Sequence, residues 1–236
     1  MKRSTLISLA ALLLMIPVTL YLGTQLPGRM YYLTSTLVAI ETMLPFFFRF
    51  EARKPKAREL VMLAVMCALA TVSRLLVLLP NFKPITAIVM IAGIAFGAEA
   101  GFLTGAISAF ASNFFFSQGP WTPWQMMAYG AGGFLAGLLF CRRDVMFFRG
   151  WKNRIFLGIF GFLAILLVVG PLLDCCTLFT TGTKITWKFT VAVFSVGVVH
   201  NLQHGLACGV TLALLGAPLL EKLNRLKVKY GVLDAD

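Results

Sequence analysis

The amino-acid sequence predicts an all-α integral membrane protein, with a six-helix core preceded by two N-terminal transmembrane helices. Hydrophobic residues make up 59% of the chain and charged residues only 13%, against ~25% charged in a soluble domain; mean hydropathy is +0.86. The charges cluster, and the apolar runs between them reach about 18 residues or more, the length that ~30 Å of hydrocarbon demands of a helix. Alternating strands of about ten residues, the mark of a membrane barrel, are absent.

The net charge of +12 is read as topology and not as a nucleic-acid surface, because of where it falls. Sixteen of the 21 basic residues lie at Lys2 and Arg3, within 49–58, within 142–154 and within 222–229. Basic residues concentrate in cytoplasmic loops. Chaining eight helices from a cytoplasmic N-terminus places every one of these clusters on that side, with both termini cytoplasmic and the chain multi-pass in the cell (plasma) membrane. Only Arg29, Arg74, Lys83, Lys184 and Lys188 lie elsewhere.

In chain order, the first segment runs from Leu6 to Leu22. No small-x-small cleavage site follows it, which favours a retained helix over a signal peptide. The second, Met30 to Phe48, carries Glu41 near its middle. An ionisable group at that depth is costly and faces protein or water, so a functional and a structural role both stay open. Residues 1–50 form an accessory hairpin, 51–57 a basic cytoplasmic linker, 58–229 the core and 230–236 a cytoplasmic tail.

The core opens with Arg58 to Leu79, which carries Ala64 and Ala68 one turn apart. Arg74 near its outer end either snorkels to the surface or pairs with Asp174. Pro80 and Pro84 bound an outer loop. From Ile85 to Ser117 the apolar run is too long for one span, and Gly93, Gly97, Gly101 and Gly105 recur every four residues. A short helix in, a tight turn and a helix out account for it, the small residues permitting close helix approach. Gly133-Phe134-Leu135-Ala136-Gly137 echoes Gly101-Phe102-Leu103-Thr104-Gly105 but is too short for a repeat.

The second outer loop, Asn113 to Gln125, is uncharged and rich in aromatics and amides. Tryptophan and tyrosine are enriched at any membrane interface. Carboxamides at the hydrocarbon edge need partners, so the reading favoured is a pocket wall. The last spans run from Arg154 to Cys176, kinked by Gly170-Pro171 near Asp174, and from Trp187 to Leu220. His200 and His204 share a face of the last helix. Without a third ligand they read as helix-to-helix hydrogen bonders, not as a zinc site. The five cysteines show no disulfide or metal pattern and read as packing. No phosphate-binding loop of the Gly-x-x-x-x-Gly-Lys-Ser/Thr type occurs.

Six spans, the Ala64-x-x-x-Ala68 pair, the proline-bounded outer loop and the glycine run with its tight turn together resemble the substrate-binding S component of energy-coupling factor (ECF) transporters. Overall texture and the loop NFFFSQGPWTPWQ are most similar to the cobalamin-specific members. The N-terminal hairpin departs from the six-helix pattern. The resemblance implies capture of a vitamin-like molecule from outside and docking, through Ala64 and Ala68, on a transmembrane T subunit. Two cytosolic ATPase subunits then use ATP to drive import. It implies no cofactor, metal or catalytic residue in this chain.

On the outer face the acidic residue is Asp174, so neutral or mildly anionic ligands fit, a corrinoid such as cobalamin among them. Candidate ligand contacts are Asn81, Phe82, Lys83, Asn113, Gln118, Trp121, Trp124, Gln125, Tyr129, Asp174 and Trp187. The alternative is a membrane-embedded enzyme such as a lipid-modifying transferase, which needs acids, bases or metal carboxylates converging at one depth. With Glu41 near mid-membrane, Asp174 near the outer surface and the histidines ~20 Å below the outer end of their helix at 1.5 Å per residue, convergence is not expected.

Overall fold

Among the described residues every regular element is a helix, as the long apolar runs predict. The computed structural model describes residues 15–19, 21–22, 31–76, 82–181 and 185–231; most of the expected first helix and Asn81 lie outside them. The helices are α1 (Tyr31–Ala52), α2 (Ala57–Leu76), α3 (Ile85–Phe96), α4 (Ala98–Phe116), α5 (Trp121–Phe140), α6 (Trp151–Ala164), α7 (Gly170–Thr181) and α8 (Trp187–Tyr230). A 3-10 turn, Val145–Arg149, precedes α6, and a π turn, Ile165–Val169, joins α6 to α7 as one span. Among the described residues, three helical stretches are long and apolar enough to cross a membrane on length and composition: Leu33–Ala52, Trp151–Thr181 and Trp187–Tyr230.

The centre is α3, all twelve residues of which are buried. At 1.5 Å per residue it is ~18 Å long, short of a full span. It ends at Gly97, whose φ of +98° only glycine adopts without strain. The glycine run therefore divides between two helices, with Gly97 the hinge of the tight turn. Where α4 crosses α5, a Cβ on Gly101 would sit 2.5 Å from the Gly133 carbonyl oxygen. The two echoed glycine patterns thus face each other across this contact.

Pro171 has no N–H, and its ring crowds the carbonyl four residues back. The chain meets that conflict with the π turn at Ile165–Val169, just before the predicted kink. The last helix is longer than expected: α8 has 44 residues and ends at Gly231 in the left-handed conformation. Its N-terminus is capped by Thr186, whose hydroxyl accepts the Phe189 N–H at 3.2 Å.

Contacts at one end gather the basic clusters as the charge map requires. Arg49 pairs with Glu99 at 3.2 Å and Arg149 with Glu221 at 3.2 Å. Lys227 donates to the Ala95 carbonyl at 2.6 Å. The accessory helix α1 lies against α4, α5 and α7. Phe46 stacks on Phe102 with centroids 3.9 Å apart and meets Phe134 edge-on at 5.1 Å, contacts worth ~0.5–1.5 kcal/mol each beyond burial. Glu41 is buried on α1 and accepts a hydrogen bond from the Thr19 hydroxyl, which ties the preceding segment to this helix.

Candidate functional site

At the end opposite the basic clusters, α2, α5, α7 and α8 enclose a cavity of about 430 Å³. One wall comes from Arg74 at the end of α2, Lys83 in the following loop, and Gln125 and Tyr129 on α5. The facing wall comes from Leu173, Asp174 and Thr177 on α7 and from a stripe of α8: Val193, Val196, Gly197, His200, Asn201 and His204. Those α8 positions recur at three- and four-residue intervals, which places them on one helical face.

Arg74 dominates the first wall. It is only 8% exposed, and it donates to Ser112 Oγ at 2.5 Å and to Asn113 Oδ1 at 2.8 Å. Its Nε has no hydrogen-bond partner, and among the described residues no carboxylate forms an ion pair with it. Asn113 in turn donates to Gln125 Oε1 at 2.9 Å and Thr122 Oγ1 at 3.0 Å. The Thr122 hydroxyl donates to Gln118 Oε1 at 2.9 Å. This chain of amides and hydroxyls runs from the outer loop down to the guanidinium and fixes where it points. Lys83 stands over the Phe116 ring at 4.0 Å and Arg74 over the same ring at 4.7 Å. Burial, and secondly the Arg74 charge, hold the Lys83 ammonium below the ordinary lysine range.

The facing wall carries the opposite sign. Asp174 Oδ2 accepts from Asn201 Nδ2 at 2.8 Å. Below it, His204 Nε2 shares a hydrogen bond of 2.8 Å with Thr86 Oγ1, and Tyr129 meets the His204 ring edge-on at 5.9 Å. The cavity therefore has a cationic side, an acceptor-rich anionic side and an aromatic and aliphatic lining between them. Such a site can orient a flat polar ligand by its two edges.

Two expectations are corrected. Arg74 neither snorkels nor pairs with Asp174, because Ser112 and Asn113 hold its Nη1 from α4 and Asn201 donates to the carboxylate. Asp174 and the two histidines do converge, on this cavity. Depth counted from helix ends holds only where all the helices end in one plane, and here they do not. α8 starts far outside the others: its eleventh and fifteenth residues, Gly197 and Asn201, meet Asp174 on α7, and its eighteenth, His204, meets Thr86 in the first turn of α3.

Of the remaining candidates, Lys83, Gln125, Tyr129 and Asp174 line the cavity, and Asn113 lies one layer behind it. Phe82 is half-buried in the outer loop. Gln118 donates to the Phe110 carbonyl at 3.0 Å, and the exposed Trp121 donates its indole N–H to the Ser117 carbonyl at 3.3 Å; both shape the loop outside the cavity. Trp124 is buried against Ala39 and Cys176, with the Phe179 ring at 5.9 Å, where it seats the accessory helix. Asn81 lies outside the described residues. Arg74, Thr177 and the α8 stripe were not among the candidates. The signal for them was present: polar groups inside membrane helices turn to protein or water, and Asp174, His200, Asn201 and His204 are such groups on consecutive spans.

Residues 54–225 match the model of a protein family described as ECF-type riboflavin transporter, S component. No curated protein and no solved structure matches the chain.

Proposed function

The chain belongs to the S-component family of ECF-type riboflavin transporters, and from that premise we propose that its outer cavity captures a riboflavin-like flat heteroaromatic for import. The observation that carries the choice of ligand is the cavity itself. Its volume of about 430 Å³ lies at the small end of the ~300–1,000 Å³ spanned by small-molecule sites, which suits one fused ring system with a short polar chain. A corrinoid, suggested by the texture of the outer loop, is less well supported, since it is far bulkier and Trp121 and Trp124 stand outside the cavity. In this reading Arg74, Lys83 and Gln125 hold the carbonyl edge of the ring, Tyr129 packs on it, and Asp174, Asn201 and His200 accept and donate to the hydroxyl chain.

An S component is a substrate-binding subunit, and this chain is assigned no catalytic step. The family works with a T subunit and ATPases, and α2 supports a docking face of the expected kind. Ala64 and Ala68 are exposed on it, flanked by exposed Val61, Val65 and Val72. Small residues in lipid permit close approach by another helix.

The test is a side-by-side titration of the purified protein with riboflavin and cobalamin. One-to-one binding with quenching of flavin fluorescence is expected. Cobalamin binding without flavin binding would return the ligand to the corrinoid class.

A further inference from the structure

A second cavity, of about 340 Å³, opens at the basic end between the last turns of α3, α5 and α8. Its rim is cationic. Arg142 and Arg143 follow α5, and Lys227 reaches in from α8, while Ile94, Phe148 and Leu220 contribute apolar wall. None of these three cations forms an ion pair among the described residues. The neighbouring carboxylates are already engaged: Glu221 pairs with Arg149 at 3.2 Å, and Asp144, which lines the cavity, accepts the Met146 N–H at 3.0 Å as the cap of the 3-10 turn. Lys227 spends one N–H on the Ala95 carbonyl at 2.6 Å. That contact covers the negative end of α3, which would otherwise repel an anion.

We propose that this cavity binds the phosphate headgroup of an anionic phospholipid. Three cations against one carboxylate leave the lining positive, and the site lies where apolar helices give way to basic loops, the depth of the headgroup layer. A basic pocket between membrane helices on the positive-inside face has the chemistry for such a headgroup. Its polar mouth and the apolar patch of Ile94, Phe148 and Leu220 behind it match a headgroup joined to acyl chains, where a soluble anion would leave that patch uncovered. The site is separate from the outer cavity and does not depend on the identity of the transported molecule.

The test uses the full-length protein in neutral detergent, with melting followed against short-chain phosphatidylglycerol, short-chain phosphatidylcholine and inorganic phosphate. Phosphatidylglycerol should raise the midpoint and the other two should not. Each cation removed should weaken that binding about five-fold, so Arg142→Gln with Lys227→Gln costs about 25-fold, while Lys54→Gln with Lys56→Gln at the same end changes nothing. If the double variant fails to fold, Arg143→Gln alone should show the single five-fold step. An equal response to inorganic phosphate would make this a soluble-anion site. An equal response to phosphatidylcholine would remove the charge selectivity, and unchanged affinity in the variants would move the headgroup elsewhere. Any one of these three results overturns the proposal.

Discussion

Replacing Arg74 with methionine should separate ligand binding from folding. Arg74 is 8% exposed, its two hydrogen bonds go to the neutral acceptors Ser112 and Asn113, and among the described residues no carboxylate pairs with it. Exchanging buried ionic groups for apolar ones of similar size is neutral to stabilising by ~1–4 kcal/mol. Against this, Asn113 Oδ1 loses a donor, a cost of ~1–3 kcal/mol. The two nearly cancel, so the melting midpoint of the ligand-free Arg74→Met protein should stay close to that of the parent. Binding should behave differently. A hydrogen bond from a charged donor to a ligand carbonyl contributes ~1.5–3 kcal/mol, and its loss weakens affinity about 10- to 150-fold. Flavin fluorescence titration and thermal melting of the same preparation read the two effects. Affinity within about three-fold of the parent, or a stability loss beyond ~3 kcal/mol, would refute the reasoning and make Arg74 a structural bolt. Arg74→Lys should fall between, because a point charge cannot hold Ser112 and Asn113 while also reaching the ligand.

Two further outcomes follow from packing. A Cβ at Gly133 would lie 2.7 Å from both the Gly101 carbonyl carbon and Val89 Cγ1, so Gly133→Ala should cost ~1–3 kcal/mol as overpacking; an unchanged melting curve in detergent would show that α4 and α5 have room to move apart. Ala64→Trp with Ala68→Trp should leave melting and ligand affinity of the isolated chain intact, since both alanines are exposed, while abolishing co-purification with the T subunit and ATPases. Loss of folding in that variant would assign the two alanines to internal packing instead.

Several features were legible because they depend on local properties of the chain. The apolar runs and the basic breaks set helix positions within a few residues, as α2, α4 and α5 show. The turn near Gly97 is legible because the run from Ile85 to Ser117 is too long for one span and Gly97-Ala98-Glu99-Ala100-Gly101 is its one polar break, and the structure gives Gly97 a φ that other residues avoid. Carboxamides at the hydrocarbon edge need partners, and Asn113 and Gln125 find each other. Trp121 and Trp124 misled because an aromatic at the right depth has three uses: ligand stacking, lipid interface and helix packing. Exposure and contact distinguish these, and composition does not.

By itself the sequence determined that this is a helical membrane protein, roughly where its core helices lie, and which loops carry the basic clusters. Those follow from the cost of placing charges and unpaired backbone groups in hydrocarbon, which each segment meets alone. Only the tertiary structure decided which polar residues share a cavity. Arg74, Tyr129, Asp174 and His204 come from four helices, and their meeting depends on how each helix is rotated, how closely the glycines let α4 approach α5, and how far α8 stands above the bundle. None of these is a property of one segment, because rotation and depth are set by the packing of each helix against its neighbours.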